Sequence, residues 1–171
     1  MPNLILVRNT YQDLPSLNRV LHYVLRGVCV GGYGINPSYA YEQMALVKKS
    51  YYKTDGVQLK HFILSFEGGE LLDLDFEDLM KIGFNIGKHF KEYQMVYGVH
   101  LDTKHAHIHF VMNTVSYVDG HKYADGLLPF RQLCGILQSW FPGYPVNLCH
   151  TESYSKENPY SKAKEGNYTI L

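Results

Sequence analysis

The chain has 171 residues, 46% of them hydrophobic and 14% aromatic, which predicts a packed globular domain rather than a disordered chain. Its formal net charge is zero at pH 7, which argues mildly against a protein that depends on non-specific affinity for nucleic acid but leaves room for a local basic face. The sequence has neither an apolar run of the roughly 20 residues that span a membrane nor a signal peptide, and its three widely spaced cysteines suit a reducing cytoplasm.

The first half of the chain alternates between strand and helix patterns. Apolar residues at helical spacing from Leu14 to Leu25 predict the first helix. Four glycines between positions 27 and 34 predict that a flexible loop follows it. The other elements predicted for this half are a strand at 3–8, a second helix at 38–52, a strand at 58–66 and a turn at 67–70, with the first helix placed at 14–26.

The second half contains the clearest helix pattern, over residues 75–91. Acidic residues open this segment and basic residues close it, which matches the direction of the helix dipole. The remaining predicted elements are strands near 94–102 and 105–116, a hairpin turn at Asp119-Gly120 that leads into a short strand at 121–124, and a helix at 129–141 that begins with Pro129.

This mixture of helices and strands joined by short turns predicts an α+β domain with a central antiparallel β-sheet flanked by helices. We expect the domain to occupy residues 1–150. From position 151 the chain is polar and rich in Ser, Lys, Glu and Asn. Residues 151–171 are therefore expected to form a polar tail that wraps the domain or to begin a linker.

Histidines are concentrated on one predicted strand. Because side chains alternate across a strand, His105, His107 and His109 share one face, while Ile108 and Phe110 share the other. The apolar face is suited to packing against helices. The histidine face therefore calls for a separate role.

A hairpin would bring a fourth histidine beside these three. A two-residue turn at 103–104 pairs His100 with His107 and Asp102 with His105, and directly paired side chains lie about 4.5–5.5 Å apart. Converging imidazoles suit one divalent metal at about 2.0–2.2 Å per nitrogen. Asp102 lies on the same face, where it either orients a ligand imidazole or binds the metal itself. His105 is left open as a ligand, a phosphate contact or a bystander.

The other histidines have no comparable context, and we predict ordinary packing or surface roles for His22, His61, His89, His121 and His150. A local basic face would come from four lysines that are close in sequence, Lys48, Lys49, Lys53 and Lys60. An ordinary solvated helix end explains these lysines equally well.

The pattern His-x-Asp-Thr-x-x-x-His-x-His that begins at His100 resembles the third motif of the MobA-like plasmid mobilisation relaxases. These enzymes belong to the HUH endonuclease superfamily, named for two histidines around a hydrophobic residue, which here is the triplet 107–109. Two upstream segments resemble the other motifs of the family in the same order. The helix around Tyr23 resembles the first motif, and the strand that ends in Ser65-Phe66 resembles the second. The resemblance spans residues 14–125.

The resemblance implies cleavage of one strand of plasmid DNA at an origin of transfer, with the enzyme linked to the 5′ end and a free 3′ hydroxyl. It implies Tyr23 as the nucleophile and Asp102 as the outer partner of a ligand. The implied metal ligands are His100, His107 and His109. The DNA contacts expected from the resemblance and from local charge are Ser65, His105, Lys48 and Lys49.

Tyr23 is preferred among the 15 tyrosines because it matches the first motif of the family, and its helical phase agrees. It falls outside the buried arc of the first helix, between Arg19 and Arg26, which are placed to meet phosphate. The alternative is that this side chain has only a packing or rim role. Tyr51 and Tyr52 are the reserve candidates.

One divalent metal is the expected cofactor. A phenol with a pKa of about 10 is a poor nucleophile unless a metal polarises the phosphate that it attacks. Three imidazoles favour Zn²⁺ or Ni²⁺, whereas the family resemblance favours Mg²⁺ or Mn²⁺. The expected partner is single-stranded DNA at an origin of transfer, together with accessory DNA-binding and coupling proteins in a bacterial cytoplasm.

Three alternatives stand beside the relaxase interpretation. A rolling-circle replication initiator would share the chemistry, but its tyrosine typically follows the histidines. A DNA-binding accessory protein would keep the fold and the metal without cleaving, and a Tyr23 turned away from the metal would favour it. A metal-dependent hydrolase would use water and form no covalent adduct.

Overall fold

The computed structural model describes residues 2–8, 11–67, 73–124 and 126–151, together with the backbone of residues 168–170. Within these residues, seven strands form one sheet. They are β1 (Pro2–Leu6), β2 (Cys29–Tyr33), β3 (Leu59–Phe66), β4 (Met95–His100), β5 (His107–Asn113), β6 (Asn147–Thr151) and β7 (Tyr168–Ile170).

The strand order is β2-β4-β5-β3-β1-β6-β7, which places β4, β5 and β3 side by side near the middle of the sheet. All neighbouring strands are antiparallel except β1 and β6, which run parallel. The expected α+β class with a central sheet is therefore confirmed, and the sheet is mostly rather than wholly antiparallel.

Helices cover both faces of this sheet. They are α1 (Leu14–Val24), α2 (Ala40–Ser50), α3 (Phe76–His89) and α4 (Leu128–Trp140), and a short 3₁₀ turn at Pro37–Tyr39 precedes α2. Local signals set the helix starts: the Asp13 side chain accepts the Ser16 amide at the start of α1. Asp75 and Asp78 form a reciprocal capping box at the start of α3.

Two cores result, one on each side of the sheet. Helices α3 and α4 pack on the face that carries Phe62, Ile108 and Phe110. Helices α1 and α2 pack on the opposite face, against Ile63 and Val111. The histidine face is thus partly covered by helices, because the same strands carry apolar residues further along that face.

Several predicted elements are corrected by the structure. Residues 29–33 form the edge strand β2 rather than a flexible loop, because Gly31 packs on the Tyr97 ring, where an added Cβ would lie 2.5 Å from the ring. Residues 121–124 form no strand in the described part of the chain, where Val115 and Lys122 make an isolated bridge. Strand β6 was not predicted from the sequence.

The division into a domain at 1–150 and a tail at 151–171 stays a prediction. Residues 152–167 of the expected tail lie outside the described residues, as do residues 68–70 of the predicted turn at 67–70. Among the described residues of the tail, 168–170 pair with β6 at the edge of the sheet. No helix in the described part of the chain is both long and apolar enough to cross a membrane.

Candidate metal centre and nucleophile

The register of β4 and β5 brings three histidines together. His100 is paired directly with His107, as the hairpin model predicts, and His109 lies two residues further along the same face. The ring centroids are 5.8 Å apart for His100 and His107, 4.8 Å for His100 and His109, and 4.9 Å for His107 and His109. The turn itself is wider than predicted, because residues 101–106 form a loop and the ladder ends before the expected pair of Asp102 with His105.

These three histidines form a donor set that fits a divalent cation. All three side chains are buried, and each offers one nitrogen such that the three atoms lie within 4.8 Å of one another. The site could therefore hold a metal ion, and the donor set alone does not select which one.

Backbone carbonyls determine the tautomers of two of the three rings. The His100 Nε2 lies 3.2 Å from the Val24 carbonyl oxygen, and the His107 Nδ1 lies 3.0 Å from that of His105. Because a carbonyl oxygen only accepts, each of these nitrogens carries the proton and donates it. The lone pair for a metal is then on Nδ1 of His100 and on Nε2 of His107.

The third ring, His109, has a different partner, which the sequence interpretation missed. Its Nδ1 lies 2.9 Å from Nε2 of His61, a buried residue on the neighbouring strand β3. The other nitrogen of His61, Nδ1, lies 3.2 Å from the Tyr11 hydroxyl. The prediction of an ordinary packing or surface role for His61 did not anticipate this contact with a predicted metal ligand. His61 lies four residues before Ser65, so the two side chains share one face of the strand. This shared face with a predicted DNA contact was the signal in the sequence that His61 lies near the site.

Burial favours the neutral form of His61, His100 and His109, and metal ligation needs neutral imidazoles. Burial, reinforced by the nearby His100, lowers the pKa of His61 to about 3. Burial and the neighbouring imidazoles likewise hold the pKa of His109 well below its usual range. Burial also lowers the pKa of His100, against the opposing effects of its bond to Val24 and of Asp102. Neutral imidazoles keep lone pairs available for a cation.

Tyr23 lies directly against the histidine cluster. Its ring stacks on His100 with centroids 4.9 Å apart and 23° between the planes, and it meets His109 edge-on at 5.0 Å. The side chain is half-buried on α1, one residue before the Val24 carbonyl that accepts from His100. The predicted nucleophile and the predicted ligands are thus brought together by the packing of α1 on the sheet.

The two reserve tyrosines lie elsewhere. The Tyr51 hydroxyl donates to the carbonyls of Tyr117 and Val118, at 3.3 and 3.2 Å. The side chain of Tyr52 is 93% exposed. Both follow α2 near the end of β5 that is opposite to His107, and a seven-residue strand is about 20 Å long. The geometry favours Tyr23 over both.

Asp102 approaches the metal-facing side of the cluster. Its Oδ1 lies 3.5 Å from Nε2 of His107, the nitrogen that the bond to the His105 carbonyl leaves for a metal. This carboxylate therefore stands where it would meet a cation, rather than on the outer nitrogen that sets the tautomer. Of the two roles left open for Asp102, direct participation at the metal agrees better with this geometry.

The other predicted contacts are spread over a wider area. Ser65 is nearly buried and is paired in register with His107. The side chain of His105 is exposed on the loop beside the cluster. Lys49 is exposed in the last turn of α2.

Lys48 corrects the sequence interpretation. Its side chain is 0% exposed, and its Nζ donates to the Gln58 carbonyl at 2.7 Å and to Asn113 Oδ1 at 2.6 Å. A buried amino group with these partners is not available to a DNA phosphate, so the expected DNA contact by Lys48 is wrong. A basic group that is near the cluster is Arg26, whose charge contributes to the lowered pKa of His100.

Comparison with known proteins agrees with this geometry. The family model for the relaxase nuclease domain of the MobA/VirD2-like group matches residues 22–137, a span that contains Tyr23, His61 and the three clustered histidines. Searches of curated proteins and of solved structures gave no match.

Proposed function

The chain belongs to the MobA/VirD2-like relaxase family and is a DNA relaxase with endonuclease activity, and on that premise we propose that it nicks one DNA strand at an origin of transfer through Tyr23. The metal in this proposal is one divalent ion held by His100, His107 and His109. The observation that carries the proposal is the contact of the Tyr23 ring with the rings of His100 and His109.

The proposed reaction is a transesterification. The Tyr23 oxygen loses its proton to water and attacks the scissile phosphorus. A new bond joins the tyrosine oxygen to phosphorus, the bond from phosphorus to the 3′ oxygen breaks, and the 3′ oxygen takes up a proton. The 5′-phosphotyrosine link keeps the energy of the phosphodiester, so the strand can be rejoined later.

The protein residues position the groups for this step. When bound, a divalent metal would polarise a phosphoryl oxygen and neutralise developing charge. Burial disfavours a second proton on the rings of His100 and His109. Each ring therefore keeps one nitrogen lone pair available for a metal. The stacked His100 ring restricts the Tyr23 side chain, which lowers the entropic cost of aiming its oxygen at the phosphate.

DNA contacts are proposed around this centre. Arg26 and Arg19 flank Tyr23 on and just after α1 and are exposed, so they are placed to meet phosphates beside the scissile bond. Ser65 beside His107 and the exposed His105 remain proposed contacts near the cleaved bond. Lys49 would act further along the strand.

Mn²⁺ or Mg²⁺ is the proposed working metal, with Mn²⁺ bound more tightly because imidazole is a borderline ligand that Mg²⁺ accepts poorly. The proposed partners are single-stranded DNA at an origin of transfer and accessory DNA-binding and coupling proteins.

The direct test is formation of a covalent adduct. The protein is incubated with labelled single-stranded DNA from candidate transfer origins, with Mn²⁺ or with EDTA, and run on a denaturing gel. Tyr23→Phe and His107→Ala are compared with Tyr51→Phe, a tyrosine whose hydroxyl also has protein contacts but lies away from the histidines. We expect a metal-dependent adduct that Tyr51→Phe retains and that the other two variants lose.

Each alternative has its own outcome in this experiment. An adduct that survives Tyr23→Phe would move the nucleophile to another tyrosine. Cleaved DNA without an adduct would indicate a hydrolase that uses water. Metal binding without cleavage of an origin that includes the cognate sequence would indicate a DNA-binding module.

A further inference from the structure

His61 occupies a defined place behind the metal site. It lies on β3, one diagonal step from His109, because His61 is paired with Val111 and Ile63 with His109. Diagonal neighbours across a sheet are about 7–8 Å apart at Cα, which long planar side chains bridge. The two rings meet at an angle of 32°, with the Nε2 of His61 2.9 Å from the Nδ1 of His109.

This hydrogen bond differs from the other two that orient the cluster. His100 and His107 donate to carbonyl oxygens, which only accept and so fix which nitrogen carries the proton. An imidazole partner both donates and accepts. The proton between His61 and His109 therefore has two possible positions, and one of them places hydrogen on the His109 nitrogen that a metal would need.

We propose that His61 is a positioning residue for the metal site: its Nε2 accepts from the Nδ1–H of His109 and so holds His109 in the tautomer that presents Nε2 to the metal. His61 then carries its own proton on Nδ1, which faces the Tyr11 hydroxyl at 3.2 Å and donates to it. Metal binding then fixes the donor and the acceptor in both hydrogen bonds, with His109 donating to His61 and His61 donating to Tyr11. This inference rests on the metal role of the three histidines in the proposed function.

Hydrogen bonds also connect both ends of the helix α1, which carries Tyr23, to the histidine cluster. Tyr11 lies three residues before Leu14, where α1 begins, and its carbonyl accepts the Gln58 amide at 2.7 Å. At the other end of α1, the Val24 carbonyl accepts from His100. The two histidines are thus connected by hydrogen bonds to residues at or near both ends of the helix that carries Tyr23.

The neutral partner of His109 also differs in charge from the carboxylates that often orient histidine ligands. Outer partners of histidine ligands are commonly carboxylates or carbonyls, and a carboxylate increases the electron donation of the ligand and lowers the net charge of the site. A neutral imidazole leaves more positive charge on the metal and on the groups around it. Such a centre suits an anionic ligand such as a phosphodiester.

The first measurement uses ¹⁵N-histidine labelling of the whole chain, with Zn²⁺ as a diamagnetic probe. Long-range proton–nitrogen couplings report which nitrogen of each ring carries hydrogen. We expect the Zn²⁺ form to show His109 with hydrogen on Nδ1 and metal on Nε2, and His61 with hydrogen on Nδ1. Metal on Nδ1 of His109, or hydrogen on Nε2 of His61, would overturn the proposal.

The second measurement is Mn²⁺ affinity by calorimetry in the absence of DNA. His61→Phe keeps the ring shape and removes the acceptor, and we expect a loss of about 10–100-fold in affinity. His61→Gln places an amide oxygen near the position of Nε2 and should restore affinity to within about threefold of wild type. The matched control is His89→Phe, which removes another histidine with one hydrogen bond, to the Pro129 carbonyl at 2.8 Å, and should leave Mn²⁺ affinity unchanged.

These outcomes separate the inference from the proposed function. Wild-type Mn²⁺ affinity in a folded His61→Phe protein refutes the positioning role and leaves the nicking proposal intact. The expected affinities without any DNA adduct support the positioning role and refute the nicking proposal. If His61→Phe does not fold, the tautomers of the wild-type protein and the affinity of His61→Gln decide, and a Gln variant with the full loss contradicts the inference.

Discussion

Gly98 lies so close to the Val24 carbonyl that an added Cβ would be 2.1 Å from the carbonyl oxygen. Gly98 is also paired with His109 across the sheet, and the same carbonyl accepts from His100. Because glycine has no Cβ, the end of α1 can pack closely against β4 at this position. The close approach of the tyrosine helix to the histidine cluster thus requires a glycine at this position.

Gly98→Ala is therefore expected to push the end of α1 away from the sheet. The contact is with backbone, which has little room to move, so we expect a loss of about 1–3 kcal/mol in the free energy of unfolding and a loss of more than about tenfold in nicking. Denaturant unfolding and adduct formation measure the two effects.

The control for this substitution is Gly135→Ala on α4, where an added Cβ meets nothing within 4 Å. This change should raise the free energy of unfolding by about 0.5–1 kcal/mol, because alanine is the better helix former, and leave nicking unchanged. An active Gly98→Ala protein of wild-type stability would show that α1 does not need this approach.

His107→Ala removes one of the three proposed ligand nitrogens at the cluster. We expect Mn²⁺ affinity to fall by more than about 100-fold, because two imidazoles hold a divalent ion far less well than three. Calorimetry in the absence of DNA measures this directly. His121→Ala is the control, since that ring bonds Asp119 and Tyr93 away from the cluster and should not affect the affinity. Equal effects from both variants would place the ion elsewhere.

Tyr23→Phe should separate chemistry from metal binding. The ring that stacks on His100 is retained and only the hydroxyl is lost. We expect Mn²⁺ affinity within about twofold of wild type and a complete loss of the DNA adduct. Tyr23→Ala, which removes the stacked ring as well, should in addition reduce stability. A large loss of Mn²⁺ affinity in Tyr23→Phe would instead make the tyrosine oxygen a ligand.

Lys48→Met should change how stability depends on pH. Burial, together with the nearby Lys122, lowers the pKa of Lys48 from 10.5 to about 7 in the folded protein. Between pH values of about 7 and 10.5, Lys48 is protonated in the unfolded chain and largely deprotonated in the folded protein. The contribution of Lys48 to the free energy of unfolding therefore rises with pH. Methionine has no such contribution.

The expected result is that the stability of Lys48→Met relative to wild type falls by about 1.4 kcal/mol per pH unit between pH 7 and 9. Denaturant unfolding in EDTA at several pH values measures it. Lys49→Met, a change at the exposed neighbouring lysine, should give no such slope. Parallel pH profiles for wild type and Lys48→Met would mean that Lys48 stays charged in the folded protein.

Periodicity in the sequence determined which residues could share a face, and that was enough for the core of the site. The spacing of two between His107 and His109, and the short connection back to His100, predict the convergence that the register of β4 and β5 confirms. The acidic start and basic end of the segment likewise predicted the helix α3. These features are local, because they depend on alternation and on neighbours within a few residues.

Tertiary structure alone decided which distant residues meet that face. His61 reaches His109 because β3 lies beside β5, and Tyr23 reaches His100 because α1 packs down at Gly98, and neither arrangement follows from local spacing. Lys48 is similar, since a lysine at a helix end is ordinarily exposed, whereas this one is buried and donates to the Gln58 carbonyl and to Asn113. The physical reason is that strand order and helix packing arise from burial summed over the whole chain, which a local pattern does not encode.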